Sequence, residues 1–350
     1  MTVGLAEKNG FSAARLGRIA PLMQRYVDEG KLPGIATLVA RNGEIVHRST
    51  VGYADIASGK ALSEDAIYRI YSMSKPIIVA AALTLFEEAR FTLDDPVARY
   101  IPALGEMQVL AGMEGDRPVL VPQDRPMTIR HLMAHTSGMT YGFFSEANWA
   151  ETQWAQSGAL AVDHTLAEMP AILKELPLLF QPGERWHYSV SIDVIGLLIE
   201  VISGQTLDVF LRERLFEPLA MVDTAFWTSP ENASRLATLY SLNEAGTLVE
   251  IPSPGGPYDA PRAFLSGGGG LMSTIMDYWR FGQMLANGGV LDGVRVLGSR
   301  TVRLMRSNHL PAHVRNYGDP PHPGHDFGLG VRIMRSPAEA GELGSPGNFG

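Results

Sequence analysis

A serine and a lysine lie three residues apart, Ser72 and Lys75, just before an apolar run from Ile77 to Phe86. Residues three apart on a helix share a face, so both side chains can enter one pocket. Pro76 fits the first helical turn, where backbone N–H groups lack intrahelical partners. The run behind it is apolar nearly all round, which is typical of a buried helix. A hydroxyl and an amine so placed are a candidate nucleophile and base.

A second polar stretch, residues 186–193, leads directly into another apolar helix. Tyr188 in this stretch could present its phenolic oxygen to the same pocket as Ser72. The alternative is a tyrosine that packs its ring and hydrogen-bonds its hydroxyl at the surface. Serine-x-x-lysine should occur roughly once by chance in a chain of this length. Ser72 to Lys75 is its only occurrence here, so the motif gains weight only from its context.

Composition indicates an ordinary globular protein. The chain has 350 residues, 45% hydrophobic and 19% charged, which allows one large domain or two ordinary ones. Its net charge is −8 and it has no basic run, which argues against nucleic acid and an anionic membrane surface as partners. Cysteine is absent, which excludes disulfides, a thiolate nucleophile and a cysteine metal site.

The first ten residues lack the apolar region of a secretory signal. The longest apolar run, near Ile77, is about half of the roughly 20 residues that a membrane span needs. The sequence therefore predicts a soluble cytoplasmic protein. No cofactor is expected, and the oligomeric state is unknown.

The positions of the elements follow from hydrophobic periodicity and turn signals. An amphipathic helix is expected over 11–29, and a hairpin joins strands 34–41 and 45–53 through Asn42-Gly43. The region from Ser72 to Phe226 is expected to be mostly helical. Further elements are expected as helices over 127–139, 191–202, 207–216 and 273–287 and a strand over 328–334. Strand-containing ends with helices between them indicate an α+β fold with a helical insertion.

Several motifs in order resemble the serine β-lactamase-like superfamily, and more narrowly the family VIII carboxylesterases, relatives of class C β-lactamases and D,D-peptidases. They are Tyr71-Ser72-Met73-Ser74-Lys75, His135-Thr136-Ser137-Gly138-Met139, Pro182-Gly183-Glu184 with Tyr188-Ser189, and Ser266 to Thr274. The resemblance runs from about Gly34 to the end of the chain.

This resemblance implies the fold and the roles of the site residues. It implies a β-lactamase/D,D-peptidase-like fold, an antiparallel sheet flanked by helices, with residues 1–70 and 227–350 forming an α/β domain and 71–226 an inserted, mainly helical one. It implies Ser72 as the acylated nucleophile, with Lys75 and Tyr188 as its activating partners. These roles are chemically reasonable, because a buried lysine and tyrosine can share a proton, so that one can accept the proton of Ser72. Which of the two is the base stays open. The backbone N–H of Ser72 would serve as an oxyanion donor.

The sequence departs from the family pattern at Val190 and in lacking the third motif, and it contains one misleading match. Val190 stands where lactamases have an asparagine, which argues against efficient β-lactam hydrolysis. Ser241-Leu242-Asn243 matches the serine-x-asparagine of other lactamase classes but lies beyond the helical region. The third family motif, which supplies a second oxyanion donor, is not found. Residues 345–350 resemble its lead-in, so we expect this sequence to lack its natural C-terminus, with the last strands and helix.

Weaker patterns have simpler interpretations. His131 and His135 have a metal-ligand spacing, but no third ligand is evident, so no metal site is expected. Gly267 to Gly270 could suggest a phosphate loop, but no lysine–serine/threonine pair follows, and crowding of the backbone explains it better. Some aromatic residues could line a substrate pocket or form the core of the helical region. Those assigned to the pocket are Tyr141, Phe143, Phe144 and Trp149, and Trp154 has the same two possible roles.

The sequence therefore predicts a serine carboxylesterase that cleaves small, short-acyl esters through an acyl-enzyme on Ser72. The alternatives within the fold are a β-lactamase, a D-amino-acid peptidase or amidase, and an acyltransferase. The alternative outside enzymes is a non-catalytic acyl-binding protein. The expected partner is a small-molecule ester.

Overall fold

The computed structural model describes residues 3–145, 148–253, 256, 258–314, 317–318 and 320–350. The chain divides into two compact units. Unit 1 comprises Met1–Arg69, Ala220–Pro261 and Met272–Gln283, and unit 2 comprises Ile70–Leu219, Arg262–Leu271 and Met284–Gly350. Every residue of the predicted site belongs to unit 2.

Unit 1 combines helices with short antiparallel sheets. Its helices are Val3–Lys8, Ala13–Leu16, Ile19–Asp28 and the greater part of Ile275–Ala286, with a 3-10 turn at Ala233–Arg235. Its strands are Gly34–Arg41, Glu44–Asp55, Lys60–Ala61, Tyr68–Arg69, Tyr240–Leu242, Leu248–Glu250 and Met272–Ser273. The first three strands form an antiparallel sheet in chain order.

The predicted N-terminal hairpin is confirmed. Strand Gly34–Arg41 pairs with Glu44–Asp55, and Arg41 lies opposite Glu44 across the turn. Asn42 and Gly43 have φ values of 55° and 79°. Positive φ at both central positions is the requirement of a type I′ turn, which an Asn-Gly pair meets at little cost.

Unit 2 contains most of the helices. They are Ser74–Glu87, Ile129–Met133, Trp149–Gln156, Met169–Leu173, Ser191–Ser203, Leu207–Leu211, Ser299–Met305 and Pro337–Ala340, with 3-10 turns at Tyr71–Met73, Val97–Arg99 and Pro102–Leu104 and a π-helical turn at Arg212–Phe216. Its strands are Gln108–Glu114, Arg117–Pro122, Val290–Leu291, Val294–Arg295, His325–Phe327 and Arg332–Met334, paired as hairpins.

The core of unit 2 is built on two helices, Ser74–Glu87 and Ser191–Ser203, which pack against each other. Ile77, Ile78 and Ile195 are each 0% exposed. Burying one large apolar side chain of this kind stabilises the fold by about 1.5–3 kcal/mol. The first helix begins at Ser74, so Pro76 lies in its first turn, as predicted.

Two predictions of secondary structure are wrong. The region 72–226 is less helical than expected, because it contains the hairpin of Gln108–Glu114 and Arg117–Pro122. Gly115 and Asp116 form its turn, with φ of 60° at Gly115. A glycine–aspartate pair between apolar runs is a hairpin signal. The expected helix over 11–29 is broken into Ala13–Leu16, which ends at Gly17, and Ile19–Asp28.

The α+β class is confirmed by these mixed helices and antiparallel strands. Residues 284–350 group with unit 2, whereas the predicted division joined them to the N-terminal strands. Compact units need not coincide with the domains of a family, so that division stays a prediction. Within the described residues, no single helix could cross a membrane, and one pair bent by 83°, Ser191–Ser203 with Leu207–Phe216, passes the length and composition test only when joined.

Candidate active site

Ser72 lies in a strained turn at the start of the buried helix. Tyr71–Met73 forms a 3-10 turn that runs into helix Ser74–Glu87. Tyr71 has φ of 43°, a left-handed value that is costly for a residue with a side chain and is common at functional sites. Ser72 itself is exposed, so its hydroxyl is accessible. Its backbone N–H precedes the helix, at the end where amides lack intrahelical acceptors.

Leu271, the residue after the glycine run 267–270, holds the turn on both sides of Ser72. The backbone N–H of Ile70 donates to the carbonyl of Leu271 at 3.0 Å. The backbone N–H of Leu271 donates to Ser74 Oγ at 3.2 Å. Ser72 is therefore flanked by two hydrogen bonds that hold it against the segment following Ser266.

Lys75 is buried beside Ser72. Its Nζ atom lies 3.1 Å from Ser72 Oγ and 2.6 Å from the carbonyl oxygen of Gly268. Only 4% of Lys75 is exposed. Burial disfavours the ammonium and lowers the pKa of Lys75 to about 8, against a smaller opposing effect of the Asp193 charge. A substantial fraction of Lys75 is thus a neutral amine at slightly alkaline pH.

Tyr188 lies beside Lys75 and Ser72. Lys75 Nζ lies 4.4 Å from the centroid of the Tyr188 ring. Burial raises the pKa of Tyr188, since the phenolate is poorly solvated, and the Ser72 side chain offsets part of that increase. The structure therefore brings together the three residues that the sequence assigned to the site.

Asp193 is a site residue whose role the sequence analysis did not assign. It is fully buried, and its Oδ1 accepts hydrogen bonds from Ser266 Oγ at 2.6 Å and from the Gly268 N–H at 3.0 Å. Burial raises the pKa of this carboxyl, while the bonds from Ser266 and Gly268 and the charge of Lys75 oppose that shift. Its place five residues after Tyr188, in the first turn of the apolar helix, was the available signal.

His135 is the second such residue, because the sequence analysis placed it in a family motif and in a weak metal-ligand spacing but gave it no role at the site. It is fully buried, and its ring lies 4.8 Å from that of Tyr188. Its carbonyl accepts from the His187 N–H at 2.8 Å, and its Nδ1 lies 3.3 Å from Ser189 Oγ. Burial lowers the pKa of His135 well below its usual value. It is thus an uncharged support that contacts three consecutive residues centred on Tyr188.

The glycine run is a place of close backbone approach, as predicted. A Cβ atom on Gly268 would collide with Asp193 Oδ2 and lie 2.7 Å from the Tyr141 hydroxyl. A Cβ on Gly267 would lie 2.6 Å from the carbonyl of Ile192. Glycine is therefore required for the run to reach Lys75, and this crowding explains it without a phosphate.

The predicted pocket aromatics fall into different places. The Tyr141 ring lies 5.3 Å from Lys75 Nζ, and Phe143 stacks on Tyr141 at 5.3 Å with 69% of its surface exposed. Phe144 lines a cavity of about 410 Å³ next to Tyr188, whereas Trp149 is not among the residues that line it. The structure thus places Tyr141 over Lys75, Phe143 on the outer side of Tyr141 and Phe144 in a cavity wall, whereas Trp149 lies outside that wall. Trp154 belongs to the core, with 3% exposed.

The remaining candidates have structural roles. His131 Nδ1 accepts from the Thr128 N–H and closes a helix cap. No group of three or more His, Cys, Asp or Glu within the described ranges could hold a metal. Asn243, of the serine-x-asparagine match, accepts from the N–H groups of Ala245 and Thr247 and so shapes a hairpin turn in unit 1.

The segment that resembles the lead-in to the third motif lies against a strand of unit 2. Arg332 and Gly350 exchange two backbone hydrogen bonds, of 2.9 and 3.1 Å, and Phe349 lies antiparallel to Ile333. The expected strand over 328–334 is shorter, Arg332–Met334, and it pairs with His325–Phe327. The last residues therefore join this strand through an isolated β-bridge.

The chain belongs to the Beta-lactamase family, whose sequence model matches residues 19–350. This match and the α+β architecture place it in the serine β-lactamase-like superfamily, with family VIII esterase resemblance.

Similar proteins include esterases. Esterase EstB of Burkholderia gladioli is 30% identical over 97% of this chain and 86% of its own length. An uncharacterized protein of Mycobacterium tuberculosis (strain CDC 1551) is 36% identical over 94% of this chain and 81% of its own length. The solved structure of EstCE1, described as a hydrolase with promiscuous acyltransferase activity, has a TM-score of 0.80, 27% identity, and coverage of 96% and 87%. The chain is a hydrolase of the β-lactamase fold.

Proposed function

We propose that this chain is a carboxylesterase that cleaves small, short-acyl esters through an acyl-enzyme on Ser72. The observation that carries the proposal is the position of Lys75 Nζ, 3.1 Å from Ser72 Oγ and 4.4 Å from the centroid of the Tyr188 ring. A nucleophile in direct contact with its base is the arrangement that covalent catalysis requires. The likeness to EstB supports the choice of an ester.

Lys75 is the better candidate for the base. Its pKa of about 8 makes the neutral amine available near neutral pH, whereas burial raises the pKa of Tyr188 above its usual value of 10.0. Ser72 Oγ attacks the ester carbonyl while its proton passes to Lys75. The proton then goes to the departing alcohol oxygen, with the Tyr188 hydroxyl between the two. General-base help of this kind contributes about 10²–10⁴-fold.

The second half of the cycle reverses the first. Water takes the place of the alcohol, gives a proton to the Lys75–Tyr188 pair, and attacks the acyl carbon, and Ser72 recovers its proton as the acid leaves. The backbone N–H of Ser72 would stabilise the oxyanion in both steps.

Burst kinetics with p-nitrophenyl butyrate test the proposal. We expect a burst of p-nitrophenol equal to the enzyme concentration, and its loss in Ser72→Ala. An unchanged rate in this variant removes Ser72 from the mechanism. Nitrocefin turnover as fast as ester turnover would favour a β-lactamase, although Val190 lies buried where lactamases have asparagine. Labelling by a fluorophosphonate without ester turnover would indicate an acyl-binding protein.

Acyl transfer to an alcohol is the second candidate, because EstCE1 is described as having that promiscuous activity. Adding 1-butanol to the esterase assay separates the two. A transferase forms butyl butyrate in preference to butyric acid, whereas an esterase forms mainly the acid.

A further inference from the structure

Residues 135–139 form one of the motifs of the chain, yet none of them takes part in the proposed proton transfers. All five are buried. Buried polar side chains need hydrogen-bond partners inside the protein. The partners of this segment lie in the stretch that contains Tyr188, which indicates what the segment does.

The backbone of His135 is held in a strained conformation beside that stretch. Its φ is 53°, a left-handed value that costs energy for a residue with a side chain. The carbonyl of His135 accepts from the His187 N–H at 2.8 Å, and the carbonyl of Thr136 accepts from the Gly183 N–H at 2.7 Å. These bonds offset the strain, and the His135 ring lies 4.8 Å from the Tyr188 ring.

A chain of buried hydroxyl groups ends at the His135 ring. Ser137 Oγ lies 2.8 Å from Ser191 Oγ, and Ser191 Oγ lies 2.7 Å from Ser189 Oγ. Ser189 Oγ in turn lies 3.3 Å from His135 Nδ1. All four residues are 0% exposed, so their polar atoms depend on one another and not on bulk water.

The direction of donation along this chain follows from its first member. Ser137 Oγ accepts from the Met139 N–H at 3.2 Å and still has its own hydrogen to donate. If Ser191 donated to Ser137, that hydrogen would have no acceptor among the described residues. Donation therefore runs from Ser137 through Ser191 and Ser189 to His135 Nδ1. The neutral imidazole then carries its proton on Nε2.

The orientation of the His135 ring depends on this single hydrogen bond. Its Nε2 is buried and has no hydrogen-bond partner within the part of the chain that the structure describes. Rotation of the ring would break the bond from Ser189 and leave a buried hydroxyl unpaired, which costs free energy. The hydroxyl chain therefore fixes the ring in the place where it contacts Tyr188.

We propose that His135 is a positioning residue, whose ring, fixed by the hydroxyl chain, holds Tyr188 against Lys75. Lys75 Nζ lies 4.4 Å from the centroid of the Tyr188 ring. This role rests on the proposed esterase function, in which the Tyr188 hydroxyl carries a proton between Lys75 and the departing alcohol. It goes beyond that function by assigning a role to a motif outside the reacting groups.

A double-mutant cycle on kcat for p-nitrophenyl butyrate tests this role, with His135→Asn and Tyr188→Phe as the two changes. Asparagine tolerates a positive φ and can still accept from Ser189, so the substitution removes chiefly the ring. We expect kcat to fall on the order of 100-fold, as for a misplaced reacting group, with KM changed less than about 3-fold. In Tyr188→Phe protein, which lacks the hydroxyl to be positioned, the same substitution should change kcat less than about 3-fold.

Phe210→Leu is the control for a general loss of stability. Phe210 is 1% exposed and lies in the helix Leu207–Leu211, which holds no site residue. Its effect on kcat should be the same with and without the Tyr188 hydroxyl, because distant sites act independently. If His135→Asn does not fold, Ser137→Ala keeps the ring and removes only the first donor of the chain. That variant should lower kcat by up to about 10-fold, again only where the Tyr188 hydroxyl is present.

The tautomer of His135 can be measured without turnover. Nitrogen and carbon chemical shifts of protein labelled in histidine distinguish the two neutral forms, and the His135 signal is the one that disappears in His135→Asn. We expect the proton on Nε2 in the parent. A proton on Nδ1 would reverse the hydroxyl chain and overturn the proposal, whether or not the protein cleaves esters.

The two proposals fail in different ways. An unchanged kcat in His135→Asn, or an equal loss with and without the Tyr188 hydroxyl, overturns the positioning role and leaves the esterase in place. Full activity of Tyr188→Phe removes Tyr188 from the mechanism, and this role of His135 with it. Failure of the esterase proposal appears as an absent burst with unmodified protein, whatever tautomer His135 has.

Discussion

Asp193 accepts the backbone N–H of Gly268 at 3.0 Å, and the carbonyl of the same Gly268 accepts from Lys75 at 2.6 Å. The fully buried carboxylate of Asp193 thus fixes the position of Gly268, and Gly268 in turn binds Lys75. Lys75 is placed against Ser72 by this contact as well as by its own helix.

Activity should depend on the neutral form of Lys75. Because its pKa is lowered to about 8, the amine is mostly protonated below that pH and mostly neutral above it. We expect kcat/KM for p-nitrophenyl butyrate to rise with pH and to level off above about 8. The measurement is a pH–rate profile, corrected for spontaneous hydrolysis. A profile that is flat from pH 6 to 9 would contradict Lys75 as the base.

Asp193→Asn should move that profile to lower pH. The charge of Asp193 raises the pKa of Lys75, so removing the charge lowers it further, while asparagine can still accept from Ser266 and Gly268. Glu200→Gln is the matched control. Glu200 is a partly buried acid of the same helix, but its carboxylate accepts from the Leu207 N–H. An acid limb that stays in place in Asp193→Asn, or moves in Glu200→Gln, would refute the electrostatic role.

Neighbouring glycines should differ in their tolerance of alanine. The Cβ of Gly268→Ala collides with Asp193 Oδ2, so the run must move away from Lys75. The Cβ of Gly269→Ala meets nothing closer than 3.7 Å. Because small misplacements at a reacting centre can reduce rates on the order of 100-fold, kcat should fall strongly only in Gly268→Ala. Similar losses in both variants would show that the crowding at Gly268 is unimportant.

His131 should make the fold sensitive to acid. Burial, followed by the charges of Arg125 and Arg130, lowers its pKa from 6.5 to about 4. The unfolded chain therefore takes up this proton first as the pH falls. The stability linked to His131 is complete above pH 6.5 and is lost towards pH 4, by about 3 kcal/mol.

Urea unfolding of the parent and His131→Gln between pH 4 and 7.5 measures this contribution. Other titrating groups cancel in the difference between the two free energies of unfolding. The free energy of unfolding of the parent minus that of the variant should decrease as the pH is lowered, because only the parent loses the stability linked to His131. Two parallel stability curves would mean that His131 is protonated equally in both states.

Local signals predicted the parts of the structure that depend on neighbouring residues. The Asn42-Gly43 turn fixes a hairpin by itself, and Pro76 marks the start of the Ser72 helix. The contact between Ser72 and Lys75 follows from helical spacing. The hairpin that turns at Gly115 was not predicted, because the whole region from Ser72 to Phe226 was expected to be mostly helical.

Long-range contacts of the site could not be read from spacing. Gly268 is far along the chain from Lys75, and no periodicity links the two. The support of Tyr188 by His135 depends on a fold that brings two loops together, and the spacing of His135 to His131 did not indicate it.

The acyl-enzyme is the central claim, and it can be observed directly. Protein mixed with excess p-nitrophenyl butyrate is quenched in acid within the first turnover and analysed by intact mass and peptide mapping. The account predicts one added butyryl group per chain on the peptide that contains Ser72, and none in Ser72→Ala. A butyryl group on another residue, or hydrolysis with no trapped adduct and full activity in Ser72→Ala, would contradict it.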